Sequence, residues 1–480
     1  MGVSRQSPNE FWKWDAVDLT EGIKNRMISS REVVASCLAR LDAVNPKINA
    51  VVVNLSESAL AEADAADAAV ARGAPLGAMH GVPITVKVNV DQAGQATSNG
   101  VVAFKDIVAT QDSPVVANLK DAGAIIIGRT NTPALSMNWF TENDLYGRTN
   151  NPWSEDHTPG GSSGGASASV AAGIAPIAHG NDLAGSIRYP AYCTGIVGLR
   201  PSFGRIPAFL PSAQSERSLS GQLMAVQGPL ARHVRDIRLA LTVMSKGDAR
   251  DPWWVPAPLE WPRPSAPIRV ALSTDPAGAG VHHSVADAVK RAGVILANAG
   301  YVVEEIDPPA FSEIASEWHN IVNPEAPYFV TPAVEKFGDD LCRDHHRSSS
   351  DFRASLESGE PDAAGYMRAI ARRVGWIRRW NLFMQEYPLV LCPASFDPPF
   401  RQAQLAGSRE DLVLMRERQI PSFTIPVLGF PAISVPTGSP EGLPMGVQIV
   451  APRFREDLLL DAAEAIEAQC PMPTPIDPRF

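Results

Sequence analysis

Two serine-bearing glycine turns, Gly160-Gly161-Ser162-Ser163-Gly164-Gly165 and Asp182-Leu183-Ala184-Gly185-Ser186-Ile187-Arg188, are separated by a run of almost only small and apolar residues. No other feature constrains the fold as much. Residues 160–165 alone have the composition of a flexible linker, but their flanks are apolar and residues 166–172 are compatible with a helix. A glycine-rich turn that opens into a helix exposes backbone N–H groups and lets a substrate come close. A third segment, Gly81-Val82-Pro83-Ile84-Thr85-Val86-Lys87, belongs to an apolar, β-branched stretch (residues 81–90) that reads as a buried strand and carries a lysine.

A lysine and two serines in such settings suggest a serine nucleophile activated without histidine, and hence acyl transfer by hydrolysis. A serine hydroxyl attacks only when a base takes its proton. The nine histidines sit in no recognisable nucleophile motif, and there is no GxSxG elbow. Lysine can be that base when neutral, and burial favours its neutral form. Val86 and Val88 flank Lys87, but neighbours in a strand point to the opposite face. Burial of Lys87 and a snorkelling position at a sheet edge therefore both remain open. A phosphate loop is disfavoured because GxxxxGK[ST] is absent. The turn before Ser186 can aim successive backbone N–H groups at a developing oxyanion. Asp182 and Arg188 read as a buried ion pair that fixes this turn rather than as reacting groups.

The 480 residues allow two or three ordinary domains or one large α/β domain. Hydrophobic residues at 45% and charged residues at 20% fit a soluble globular chain. A net charge of −10 without a basic stripe disfavours nucleic acid as a partner. Five cysteines, an odd number with no CxxC pair, read as reduced thiols and not as a metal cage. The first residues show no signal-peptide pattern, and no apolar run approaches the roughly 20 residues of a membrane helix, so the expected compartment is the cytoplasm.

Residues 17–45 read as a helix pair, with Ser29 and Glu32 as a capping box. Helices are expected at 56–72 and 115–122, and short strands at 124–128 and 196–199. Residues 248–267, rich in proline and holding Trp253, Trp254 and Trp261, form an extended connector and a candidate subdomain boundary. Strand 268–272, helix 285–299 and strand 301–306 make a β-α-β unit, which implies parallel sheet. Strands are also expected at 389–391, 431–436 and 445–450. Residues 309–386 are helical, irregular and aromatic-rich: Phe311, Trp318, Tyr328, Phe329, Phe337, Phe352, Tyr366, Trp376, Trp380 and Phe383. They read either as core of a helical layer or as walls of a substrate funnel.

Taken together, these segments resemble the amidase signature family of serine hydrolases. The match continues through Tyr189-Pro190-Ala191-Tyr192-Cys193-Thr194-Gly195-Ile196-Val197-Gly198-Leu199-Arg200-Pro201. It also takes in Gly128-Arg129-Thr130-Asn131, Thr141-Glu142-Asn143 and Gly429-Phe430-Pro431-Ala432-Ile433-Ser434-Val435-Pro436 with Gly442-Leu443-Pro444. It covers most of the chain and is weakest at 250–420.

The resemblance implies an α/β/α sandwich around a large mixed, twisted sheet. It implies a single domain over residues 1–480, with a variable substrate-entrance segment at about 309–386. It also implies a Ser-Ser-Lys triad of Lys87 (base), Ser162 (bridging serine after a cis peptide bond) and Ser186 (nucleophile). Leu183, Ala184 and Gly185 would supply an oxyanion hole, with Ser163 supporting Lys87 and with Asp182 and Arg188 fixing the loop. Two positions depart from the family pattern: Ala184, where many members have glycine, and Asn181, where a small hydroxyl residue is more usual.

No metal or cofactor is implied, and the substrate-binding residues and oligomeric state are not legible. The expected activity is cleavage of C–N bonds in small amides, aryl or apolar, with carbamates (urethanes) and esters as further substrates. The alternative is the amidase-like subunit of a glutamine-dependent tRNA amidotransferase. Those subunits typically have a glycine pair before the nucleophile and Gln after the arginine, where this chain has Ala184-Gly185 and Tyr189.

Overall fold

The computed structural model describes residues 10–262, 266–355, 363–406 and 408–480. Within them, eleven strands form one sheet. They are β1 (Val51–Asn54), β2 (Pro83–Lys87), β3 (Ile125–Thr130), β4 (Ile177–Asp182), β5 (Val197–Arg200), β6 (Val226–Ala231), β7 (Arg269–Leu272), β8 (Val302–Glu305), β9 (Leu389–Pro393), β10 (Ala432–Gly438) and β11 (Met445–Val450). The order is β1-β3-β2-β4-β6-β5-β10-β11-β9-β7-β8. The sheet is mixed: β2 runs parallel to β3 and β4, and β7 parallel to β8 and β9. The tight turn between β10 and β11 makes that pair antiparallel. The parallel β7–β8 pair with its helix His283–Asn298 is the expected β-α-β unit. The sheet continues on both sides of the 248–267 connector, of which 263–265 lie outside the described residues.

Alternation along a strand sends successive side chains to opposite faces. In β3, Ile125 and Ile127 pack with Val34, Cys37 and Leu38 of helix Ser30–Ile48 and Ala59 of helix Ser56–Ala71. Ile126 packs instead with Val115 and Leu119 of helix Pro114–Asp121. Helices therefore cover both faces of the sheet, as the α/β reading required. The Ser29–Glu32 capping box is present at the start of helix Ser30–Ile48.

Three strands fall where none is legible in the sequence: β1, β4 and β6. β4 contains Gly180, Asn181 and Asp182, and β6 contains Gly228 and Pro229, all poor strand formers. They are strands because they pair with each other over six positions, from Ile177–Ala231 to Asp182–Val226. The stretch 81–90 is strand only from Pro83 to Lys87, although Val88 and Val90 beyond it are still buried.

Candidate active site

β2 lies between β3 and β4, so Lys87 is no edge residue. Because β2 and β4 are parallel, their carboxyl ends meet at one rim of the sheet, bringing Lys87 beside Asn181 and Asp182. This is where open α/β sheets commonly place their sites. The turn 160–165 is no linker: it is wholly buried and opens helix Gly164–Ala171 at the same rim. Gly165 is required there, since a Cβ would come within 2.5 Å of the Asn131 backbone nitrogen. The Gly161–Ser162 peptide is cis.

The Lys87 side chain is fully buried. Its Nζ lies 2.7 Å from Ser162 Oγ, 3.2 Å from Ser163 Oγ and 2.9 Å from Asn181 Oδ1. Burial holds its pKa well below the usual lysine value, opposed by the charge of Asp182. Ser163 donates in turn to the Asn181 carbonyl at 3.4 Å. The structure thus adds a group to the expected set. Asn181, legible only as a departure from the family pattern, gives Lys87 an acceptor.

Ser186 follows Gly185, whose φ of +84° lies in the left-handed region that favours glycine. Ser162 and Ser186 line the same cavity, and Ser163 N–H donates to the Ser186 carbonyl at 3.3 Å. No hydrogen bond joins Ser162 Oγ to Ser186 Oγ. Asp182 organises the loop: it accepts from the N–H groups of Gly185 (3.0 Å) and Ile187 (3.2 Å) and from Arg188 Nε (3.0 Å). Arg188 also reaches Gln448 Oε1 at 2.7 Å. Arg200 adds a second guanidinium, donating to the Asp182 carbonyl at 2.6 Å. Burial alone would raise the Asp182 pKa, but Arg188 and Arg200 outweigh it and bring it to about 2. The Asp182–Arg188 pair is therefore a buried structural ion pair, with Arg200 as a third member.

Two tryptophans hold the same loop by its consecutive carbonyls. Trp318 Nε1 donates to the Leu183 carbonyl and Trp139 Nε1 to the Ala184 carbonyl, each at 3.1 Å. In a trans peptide the C=O and N–H point in opposite directions. Clamping the Leu183 carbonyl therefore turns the Ala184 N–H away from Trp318. Clamping the Ala184 carbonyl sends the Gly185 N–H to Asp182. The N–H groups of Leu183, Ala184 and Ser186 have no acceptor among the described residues. Trp318 lies in the aromatic segment singled out from sequence; nothing in the sequence distinguished Trp139.

The cavity is about 1090 Å³, large enough for an aromatic substrate. Of the aromatics in 309–386, Trp318, Tyr328, Phe329 and Tyr366 line it. Phe311 and Trp380 are buried core, Trp376 and Phe383 pack against that core, and Phe337 meets Phe104. Both readings of the segment thus hold, for different residues; the Phe352 side chain lies outside the described ones. Trp139, Phe209 and Phe423 complete the aromatic wall. Among the described residues, no three His, Cys, Asp or Glu side chains gather as a metal cage, and no helix is long and apolar enough to cross a membrane.

Fold, site and sequence together define the class: the profile of the Amidase family matches residues 32–460, and the chain belongs to this family of amidase signature enzymes. It is a hydrolase of amide C–N bonds. It is 47% identical over 463 residues to an indoleacetamide hydrolase of Bradyrhizobium diazoefficiens, covering 95% of this chain and 86% of that protein. It is 33% identical over 482 residues to a glutamyl-tRNA(Gln) amidotransferase subunit of Moorella thermoacetica, covering 95% and 97%. Among solved structures, a bacterial aryl acylamidase of the amidase signature family superposes with a TM-score of 0.81 at 26% identity, covering 97% of each chain.

Proposed function

We propose that this chain hydrolyses amides of aromatic carboxylic acids, arylacetamides of the indole-3-acetamide kind foremost, through an acyl-enzyme on Ser186. The observation that carries the proposal is the buried Lys87 Nζ, 2.7 Å from Ser162 Oγ, beneath a cavity lined by Ser162, Ser186 and aromatic rings. The 47% identity to an indoleacetamide hydrolase supports the substrate class.

Counting donors and acceptors around a neutral Lys87 supports one direction for the relay. A neutral lysine amine has two N–H donors and one lone pair, whereas an ammonium has three donors. The Asn181 Oδ1 can only accept. Ser163 spends its hydrogen on the Asn181 carbonyl, so it too accepts from Nζ. Ser162 is then left to donate its O–H to the Nζ lone pair, which frees Ser162 Oγ to take the proton of Ser186 as Ser186 attacks the carbonyl. The N–H groups of Leu183 and Ala184 would hold the oxyanion. Gly185, whose N–H is engaged by Asp182, acts by shaping the turn. Ser162 returns the proton to the leaving nitrogen, and water, activated through the same relay, releases the acid.

Carbamates and esters present the same carbonyl, and esters have easier leaving groups, so both follow as further substrates. The five unpaired cysteines suit a reducing compartment such as the cytoplasm. Residues 309–386 would form the substrate entrance of a single domain. An amidotransferase subunit is the weaker reading, given 33% against 47% identity and the departures at Ala184 and Tyr189.

The test is release of 4-nitroaniline from an arylacetyl anilide, and of ammonia from indole-3-acetamide, by the purified chain alone and by Ser186→Ala. Release by the wild type only is expected. Equal release by Ser186→Ala would refute the assignment of the nucleophile. No release by either would point to a missing partner protein.

A further inference from the structure

Arg416, on the helix Arg409–Arg418, lines the cavity that holds Ser186 yet is only 3% exposed. Its Nη2 donates to the His345 carbonyl at 3.0 Å and to Ser348 Oγ at 3.3 Å, and lies 3.2 Å from His345 Nε2. All three partners are neutral: burial first, and Arg416 second, hold the His345 imidazole well below its usual pKa. Nε has no partner. Nη1 forms no hydrogen bond among the described residues, and no carboxylate there lies within ion-pair distance of Arg416.

Among the described residues, Arg129 and Arg232 are likewise buried without an ion pair, but they donate to backbone carbonyls and have the charges of Asp91 and Asp236 nearby; the remaining deeply buried arginines have a carboxylate. Arg188 and Arg200 share Asp182, and Arg205 has Glu456. Burial pulls the Arg416 guanidinium down only to about 9, so it is a cation at neutral pH. A buried charge without a counterion is costly, and its removal from water is offset best by an anionic partner. The guanidinium sits 5.7 Å from the centre of the Trp139 ring, and Trp139 in turn holds the Ala184 carbonyl. One indole thus separates the cation from the loop that carries Ser186. A second donor, Asn323 Nδ2, is buried without a partner among the described residues and belongs to the same cavity wall.

We propose that Arg416 forms a carboxylate-binding subsite within the substrate cavity, filled either by a carboxylate on the substrate away from the scissile amide or by that of the acid product. This rests on the hydrolase reading above and extends it: amides that pair an aromatic group with an anionic one would gain from the subsite, and neutral arylacetamides would meet it only as their acid products. A charge-assisted hydrogen bond in a desolvated site discriminates on the order of tenfold or more.

The experiment compares kcat/KM for two matched pairs: glutaric acid mono-4-nitroanilide against pentanoic acid 4-nitroanilide, and 4-acetamidobenzoate against 4-acetamidotoluene. Product binding is read as competitive inhibition of the wild type by phenylacetate relative to phenylacetone. Arg416→Met and Arg416→Lys are measured alongside. The wild type is expected to favour the anionic member by about tenfold or more in at least one comparison. Arg416→Lys should retain much of that ratio, and Arg416→Met should bring it close to one. Preference within a substrate pair assigns the subsite to the substrate; preference only among the inhibitors assigns it to the product. A ratio near one in every wild-type comparison overturns the proposal without need of any variant, as does a ratio that Arg416→Met leaves intact. Turnover of the neutral members tests the hydrolase reading separately.

Discussion

Replacing Asn181 by aspartate tests the proposed base directly, because it places a charge next to Lys87; it also removes the N–H that Asn181 Nδ2 donates to Asn89 Oδ1 at 3.1 Å. Asn181 Oδ1 lies 2.9 Å from Nζ, so a carboxylate in its place would meet the amine at salt-bridge distance. At an effective dielectric of about 20, unit charges that far apart attract by about 6 kcal/mol, or about 4 pKa units. Asn181 is half-buried, so solvent and the cost of burying the new carboxylate would reduce this; about 2 units should survive. The change stabilises the ammonium and opposes the desolvation that now keeps Lys87 low. If neutral Lys87 is the base, the acid limb of the kcat/KM profile moves to higher pH in Asn181→Asp. On the acid limb turnover at a given pH falls on the order of a hundredfold, and it recovers as pH rises. Asn181→Ser removes the acceptor without adding charge and should not move the limb upward. The assay is kcat/KM for 4-nitroanilide hydrolysis from pH 6 to 10, with a melting curve to confirm folding. A folded Asn181→Asp enzyme whose profile overlays the wild type would refute the role given to Lys87.

Further outcomes follow from the same geometry. Lys87→Ala should abolish amide cleavage while leaving the fold intact, and near-wild-type turnover would sink the relay. Asp182→Asn leaves Arg188 and Arg200 buried without an anion and should cost about 3–5 kcal/mol in urea-induced unfolding. The Asp182 pKa is depressed to about 2, so this stabilisation is present above about pH 4 and is lost as pH falls through about 2. The variant and the wild type should therefore converge in stability toward pH 2, and a constant gap down to that pH would contradict the argument. Trp318→Phe keeps a ring but loses the N–H on the Leu183 carbonyl, so kcat should fall several-fold with little change in KM. Trp318→Ala should in addition raise KM for aryl substrates about tenfold. Equal kinetics in the two variants would show that the indole N–H does not orient the loop.

The family, the residues proposed as the Ser-Ser-Lys set and several helices were legible in the chain itself because they depend on local chemistry, whereas helices such as Val234–Met244 and Glu456–Gln469 were not singled out. Capping at Ser29 and Glu32 and β-branched runs such as Ile125–Ile127 act over a few residues. The glycine turns, too, need particular residue types wherever the chain runs. β4 was not legible, since glycine, asparagine and aspartate form a strand there only through pairing with β6. The burial of Lys87 could not be read from Val86 and Val88, which face the other way; it follows from β2 lying inside the sheet. Trp139 and Trp318, far apart in sequence, converge on consecutive carbonyls of one loop, and Arg416 meets His345 from another helix. Which candidate reacting groups the chain carries can be read from its residues alone. Only the tertiary structure decided their charge states and neighbours, because desolvation and hydrogen bonding depend on what the whole fold packs around each atom.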